Sequence, residues 1–386
     1  MIEKDIISFF LNHPEYFINT ISEIYPLSKS QLAKYKNILD WNKVSGNLNI
    51  EWSGEILNSF SESLDWKSVT TNSAAFTNLK LLEDFSDRID WKGSDEVFGH
   101  SIAFNEGLPW DIPFIEKFES KIDLSKLSSN TKVKWSEELF IKYQGKWDLV
   151  ELSGNESFPW TLELFDKYLD ESFLFYFATY NNVQLISNVY FIDKYKDSLK
   201  WNCICSHSNL PWLRMNLLNH WEKYIDWWGI AQNHFLFLND PNFFAAHSDK
   251  WSQNNFKNFQ SLSINEVLPW SVRFIERYEE YLSWYYLCAN DGVPWNIELI
   301  DRFSENINWG GWIAEMIHDE GEFCEAKSYE SGLNFNNSVP WSIEFLKYYE
   351  NQLEFEALSS NHAVWEKAFK PFVDEKMIDT VMKIIL

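Results

Sequence analysis

Apolar residues along this chain recur in a pattern that repeats every 25 positions. Trp110, Trp135 and Trp160 stand 25 residues apart, as do Trp270 and Trp295. From Trp135, apolar side chains follow at Leu139, Phe140, Tyr143, Trp147, Leu149 and Leu152, and the same offsets from Trp270 fall on Phe274, Ile275, Tyr278, Leu282, Trp284 and Leu287. The copies that begin at Trp295 and Trp341 agree. Weaker copies begin at Leu27, near Phe76 and Thr77, at Ser187, at Trp212 and near Ala245, and Trp365 opens a truncated one. The leading offsets have helical spacing and cover about half of a helix circumference. That width predicts a helix of about 13 residues packed between neighbours on both sides, as in a stacked array.

Polar residues mark where each helix starts. Ser136, Thr161, Ser271, Asn296 and Ser342 occupy the N-cap position, and Glu138, Glu163, Glu298 and Glu344 follow where a carboxylate meets the positive end of the helix dipole. The rest of each repeat must return the chain. Its Leu and Asn read as a short helical turn ended by Asn in the left-handed conformation. Asn47, Asn72, Asn130, Asn155, Asn265, Asn290 and Asn361 recur with the period of the core, so they read as structural caps and not as a ligand-binding row.

These elements imply an all-α fold, an α-solenoid of about 12–13 tandem Trp-rich repeats, elongated and curved, each with one longer and one short helix. Residues 1–25 are expected to cap the first repeat, 26–364 to hold the array and 365–386 to close it. The unit resembles HEAT, armadillo and tetratricopeptide arrays in overall logic only. Its period is shorter and none of their signature residues occurs in register, so no binding residue carries over. The period breaks near 92–109, 228–244 and 310–339, and irregular places in an array are where recognition features are expected.

Composition narrows the function. The chain of 386 residues holds 31 Phe, 21 Trp and 17 Tyr, an excess that the repeat explains as core. With 33 Lys and Arg against 57 Asp and Glu, the net charge of −24 argues against direct nucleic-acid binding and for a basic protein partner. No apolar run is long enough to span a membrane, no secretory signal is legible, and the 4 cysteines are too few for a disulfide framework, which reads as cytoplasmic.

Candidate chemistry is sparse. His318, Asp319, Glu320 and Glu322 in the third break bring imidazole and carboxylates together, as a divalent cation or a hydrolytic site would need. Cys203, Cys205 and His207 form a short string with no second cluster to complete a zinc site. No nucleophile elbow, Walker loop, dinucleotide fingerprint or zincin motif occurs, and no cofactor is implied. Trp228 and Trp251 stand off the repeat grid and are expected to be exposed contact residues. The sequence therefore points to a non-enzymatic, protein-binding scaffold or adaptor, in its sharpest form an acidic inhibitor or immunity-type protein. The competing readings are an enzyme with a metal or ligand site at 310–339 and a glycan-binding repeat protein.

Overall fold

The structure is a computed structural model that describes residues 2–76, 78–93, 100–174, 183–240, 242–251, 260–310, 318–319, 322–323 and 332–385. It is all-helical apart from a short antiparallel pairing of His318–Asp319 with Glu322–Phe323. The chain forms two compact bodies, one of residues 17–185 and one of 1–16 together with 186–385.

Within each body the repeat is built from two short helices. The leading helix has 6 residues in Glu137–Lys142, Ile297–Arg302 and Ile343–Tyr348, and 7 in Val272–Tyr278, half the length the spacing predicts. It stops because the aromatic residue at its end leaves helical geometry. Tyr143, Phe303 and Tyr349 have φ near −113°, −112° and −105°, and their carbonyls each accept a turn hydrogen bond from the residue three positions on, Lys146, Asn306 and Gln352. The wide apolar arc is thus a helix plus the turn behind it. The predicted caps are in place: the side chains of Ser136, Thr161, Ser271, Asn296 and Ser342 accept from backbone amides three residues on, at 2.9 to 3.2 Å.

The trailing helix has a cap of its own that the sequence reading missed. Asp40, Asp65, Asp123 and Asp148 each accept from two backbone amides of the helix they open. Burial works against the Asp65 carboxylate, but the Ser68 hydroxyl and the Ser68 and Lys67 amides hold it below its usual range. Trp41–Gly46, Trp66–Thr71 and Leu149–Gly154 are again 6 residues long, and Leu124–Leu127 has 4.

Two sets of side-chain bonds join one repeat to the next. In the first, Asn72 Nδ2 donates to the carbonyls of Ser45 and Asn47, Asn130 Nδ2 to those of Ala103 and Asn105, and Asn155 Nδ2 to those of Ser128 and Asn130. The Oδ1 atoms accept from the amide two residues later, as Asn155 does from Ser157 at 2.9 Å. The asparagines are not left-handed: Asn47, Asn155 and Asn290 have φ of −66°, −75° and −79° with ψ of 110° to 115°. An extended backbone turns the amide side chain toward the preceding repeat, and so the cap becomes a rung.

In the second set, a small side chain two residues before the rung accepts the amide that opens the next trailing helix. Ser45 takes Asp65, Thr70 takes Asp90, Ser128 takes Asp148 and Ser263 takes Ser283, at 2.9 to 3.1 Å. Cys205 and Cys288 hold the same place, with Sγ accepting from Asp226 and Asn308 at 3.3 Å. Burial pushes both thiols up to about 12.

The N-terminal segment expected as a cap makes two sets of contacts. Ile6, Phe9 and Phe10 are buried, and the two rings meet Phe369 at 5.8 and 4.8 Å, with Phe9 also 5.8 Å from Phe355. Helix Ile2–Asn12 therefore packs on Ile343–Tyr348 and Glu375–Ile385, whereas Ser22 and Tyr25 accept from Asn47 of the first repeat. Lys347–Asp5 and His13–Glu350 pair at 2.6 Å along that contact.

Candidate functional site

The three breaks leave the rungs intact. A rung that spans 27 residues in regular repeats spans 35 from Asn105 to Thr70, 34 from Asn265 to Ala231 and 48 from Asn336 to Cys288. Asn105, Asn233 and Asn336, which a fixed 25-residue count does not reach, are rungs. His207 replaces one: its carbonyl accepts from Trp212 Nε1 and Asn233 Nδ2. The signal in the sequence is an Asn five residues before a Trp, as in Asn105 with Trp110 and Asn336 with Trp341, where the indole donates to the rung carbonyl.

The first and third breaks open at the same point of the repeat. Asp90 and Asn308 stand where the trailing helix should begin, and short 3-10 turns, Ile102–Phe104 and Leu333–Phe335, replace that helix just before the rung. Ile102 donates back to Asp90 O at 3.0 Å and Leu333 to Asn308 O at 2.8 Å, which closes the root of each insertion. The second break is carried by an added helix, His234–Asn239, capped by the rung residue Asn233 itself.

Trp228, on trailing helix Trp227–Ala231, is 39% exposed and is the one exposed tryptophan among the described residues. Its helix lies close against Trp201–Ser206 because Gly229 has no side chain; a Cβ there would sit 2.1 Å from Asn202 O. Trp251 corrects the expectation made for it. It is 4% exposed, donates Nε1 to Phe244 O and packs on Trp227 and Phe237. Trp147 makes the same bond to the carbonyl seven residues earlier, so Trp251 is a core residue in a shifted register.

Near the second break Leu213, Met215 and Leu238 are exposed. Asn216, which ends the loop carrying the first two, has φ of +50°, the one positive φ outside glycine among the described residues. The added helix approaches this loop's start, with the Phe235 amide 3.4 Å from Ser208 Oγ. Exposed apolar side chains on a strained loop beside an inserted helix are the most site-like constellation described.

The predicted chemistry does not assemble in the described residues. Among the described residues there is no group of three metal-ligating side chains. His318, Asp319 and Glu322 lie in the short strand pairing, but their side chains fall outside the described residues, as does Glu320 altogether. Cys205 Sγ accepts from the Asp226 amide and the His207 backbone carbonyl from Asn233 Nδ2, so these two positions of the Cys-x-Cys-x-His string take part in the framework. For glycans, stacking needs a bare ring face. The half-buried tryptophans at the trailing-helix positions have a face covered by the next repeat: Trp66 by Phe85, Trp91 by Phe118 and Trp201 by Tyr224, at 5.0 to 5.6 Å. No helix among the described residues is long and apolar enough to cross a membrane. No family model matches the chain, and comparison with curated proteins and with solved structures found no match.

Proposed function

We propose that this chain is a non-enzymatic, protein-binding scaffold built as an α-solenoid of about 12–13 repeats, with an acidic surface that engages a basic partner. The observation that supports it is the continuity of the rungs across all three breaks. Added segments hang from a frame whose hydrogen bonds they do not interrupt, which is how a rigid array presents variable elements to a partner. Trp228 on one side, and Leu213, Met215 and Leu238 near the second break, offer exposed apolar side chains of the kind that carries most of the binding energy in protein interfaces. The charge of −24 supplies long-range attraction for a basic surface.

Affinity capture at low and high salt tests this reading. A partner of basic pI, retained at about 50 mM salt, lost at about 500 mM and weakened by Trp228→Ala, is the expected result. Retention indifferent both to salt and to Trp228→Ala would refute it.

A further inference from the structure

The junction at helix Ile2–Asn12 copies a junction between regular repeats and reverses one of its charges. In the Trp110 and Trp270 repeats, carboxylates stand six and nine residues after the Trp. The next repeat brings a polar group to each: Glu116 and Glu119 meet Lys142 and Lys146, and Glu276 and Glu279 meet Arg302 and Asn306. On the Trp341 repeat the same two places hold Lys347 and Glu350, and the groups that meet them are Asp5 and His13. The N-terminal helix thus lies where the leading helix of a following repeat would lie.

Lys347 makes that place selective. A Lys or Arg of the kind that regular repeats bring there would be repelled, whereas Asp5 is accepted, and its hydrogen bond with the Lys347 ammonium holds its carboxyl below the usual range. The apolar part of the fit is Ile6, Phe9 and Phe10 on one helical face, with the His13 ring stacked on Phe355 at 3.9 Å.

The helix is also held differently from the regular repeats. Among the described residues no asparagine rung reaches residues 2–12, and the contacts that dock the helix are ion pairs and rings. Its link to the next helix, Pro14–Ile24, is the single residue His13. Pro14 has no amide hydrogen with which to continue the first helix, and a proline biases the residue before it toward extended backbone. Short hinges of this kind favour release of a terminal segment to another copy.

We propose that the chain dimerises by exchanging this helix, residues 2–12 of each copy docking on the Trp341 repeat of the other. The occupant fits by construction, because exchange reproduces every contact that the helix makes within one chain. Closed monomer and exchanged dimer then differ only in the hinge at His13 and in the cost of association, so the dimer gains as concentration rises. The exchange is independent of partner binding at Trp228, since its readout is association between copies of the chain.

The test uses two full-length variants, Asp5→Lys and Lys347→Asp. Each alone sets like charges together, whether the helix docks on its own chain or on another copy of the same variant. In a mixture, exchange restores two opposite pairs. After joint incubation in mild urea and its removal, mixed dimers should outnumber the dimers of either variant alone about tenfold, read by native mass spectrometry with one variant isotope-labelled. Both side chains are partly exposed, so each variant should keep a melt close to that of wild type. Adding Phe9→Ala and Phe10→Ala to both chains should abolish the mixed dimer. A mixture that stays monomeric, mixed dimers no more frequent than dimers of one variant, or mixed dimers that survive loss of both phenylalanines would each overturn the proposal. A synthetic peptide of residues 2–13 that binds the Asp5→Lys chain while every mixture stays monomeric would overturn it in favour of a groove for a separate partner's helix.

Discussion

Removing one rung offers the most direct trial of how the repeats are joined, and Asn155 suits it best. Its side chain is 3% exposed, donates Nδ2 to Ser128 O at 2.8 Å and Asn130 O at 3.1 Å, and accepts at Oδ1 from the Ser157 amide at 2.9 Å and hydroxyl at 2.6 Å. Asn155→Ala deletes all four bonds and strands buried polar atoms on both sides. A net contribution of about 1 kcal/mol per bond, with about 1–3 kcal/mol for each buried group left unsatisfied, makes the expected loss about 3–5 kcal/mol. A helix cap alone would cost about 1 kcal/mol. Asn155→Asp separates the readings further. It keeps the acceptor but replaces the donor with a carboxylate oxygen facing two carbonyls, so it should destabilise at least as much as Ala near neutral pH and recover as acid protonates it. Urea unfolding gives the loss, and amide exchange at Ser157 locates it, which matters because a chain of two compact bodies need not unfold in one step. A loss below about 1 kcal/mol for Ala, or an Asp variant as stable as wild type, would show that the rungs are incidental to the fold.

Three further outcomes follow from the packing. Gly292→Ala would place a Cβ 1.9 Å from Glu266 O and should cost more than about 2 kcal/mol, whereas Gly46→Ala, with nothing within 4 Å, should be neutral or stabilising by up to about 1 kcal/mol; thermal melts of the two variants check the contrast. Cys205 and Cys288 should resist alkylation at pH 8 until the protein unfolds. Because folding raises both thiols to about 12 while the unfolded chain ionises near 9, their contribution to stability should be complete below pH 9 and decline as pH rises toward 12, which alkaline unfolding curves would show. Deleting residues 2–13 uncovers Phe355 and Phe369 and should lower stability and raise binding of a hydrophobic dye. Salt alone should leave the helix docked, because buried Ile6, Phe9 and Phe10 hold it, at about 1.5–3 kcal/mol each, and the two ion pairs contribute far less.

Some of the architecture was legible because it is local. Ser136 and Ser342 cap helices through bonds that reach three residues, so the cap can be read wherever such a residue precedes a periodic apolar run. The helix length was misread for a related reason: Tyr143 and Trp147 satisfy helical spacing while lying at the helix end and in the turn behind it, and periodicity cannot separate the two. Trp251 was misassigned because a shifted register hid its equivalence to Trp147. The asparagines were read as structural, yet their role as rungs was hidden. Their acceptors, such as Ser128 O, are backbone carbonyls, which every residue has and no side-chain pattern marks.

By itself the sequence determined the 25-residue period, the helical character, the caps and the use of most tryptophans as core, since these depend on residues a few positions apart and on burial repeated many times. The tertiary structure decided what meets across repeats and across the chain. It set Asn336 against Cys288 O over 48 residues, brought Phe10 to Phe369, and covered the Trp91 ring with Phe118. Contacts of that kind depend on how far each insertion displaces the register and on which way an extended residue turns its side chain. Neither quantity is written in spacing alone.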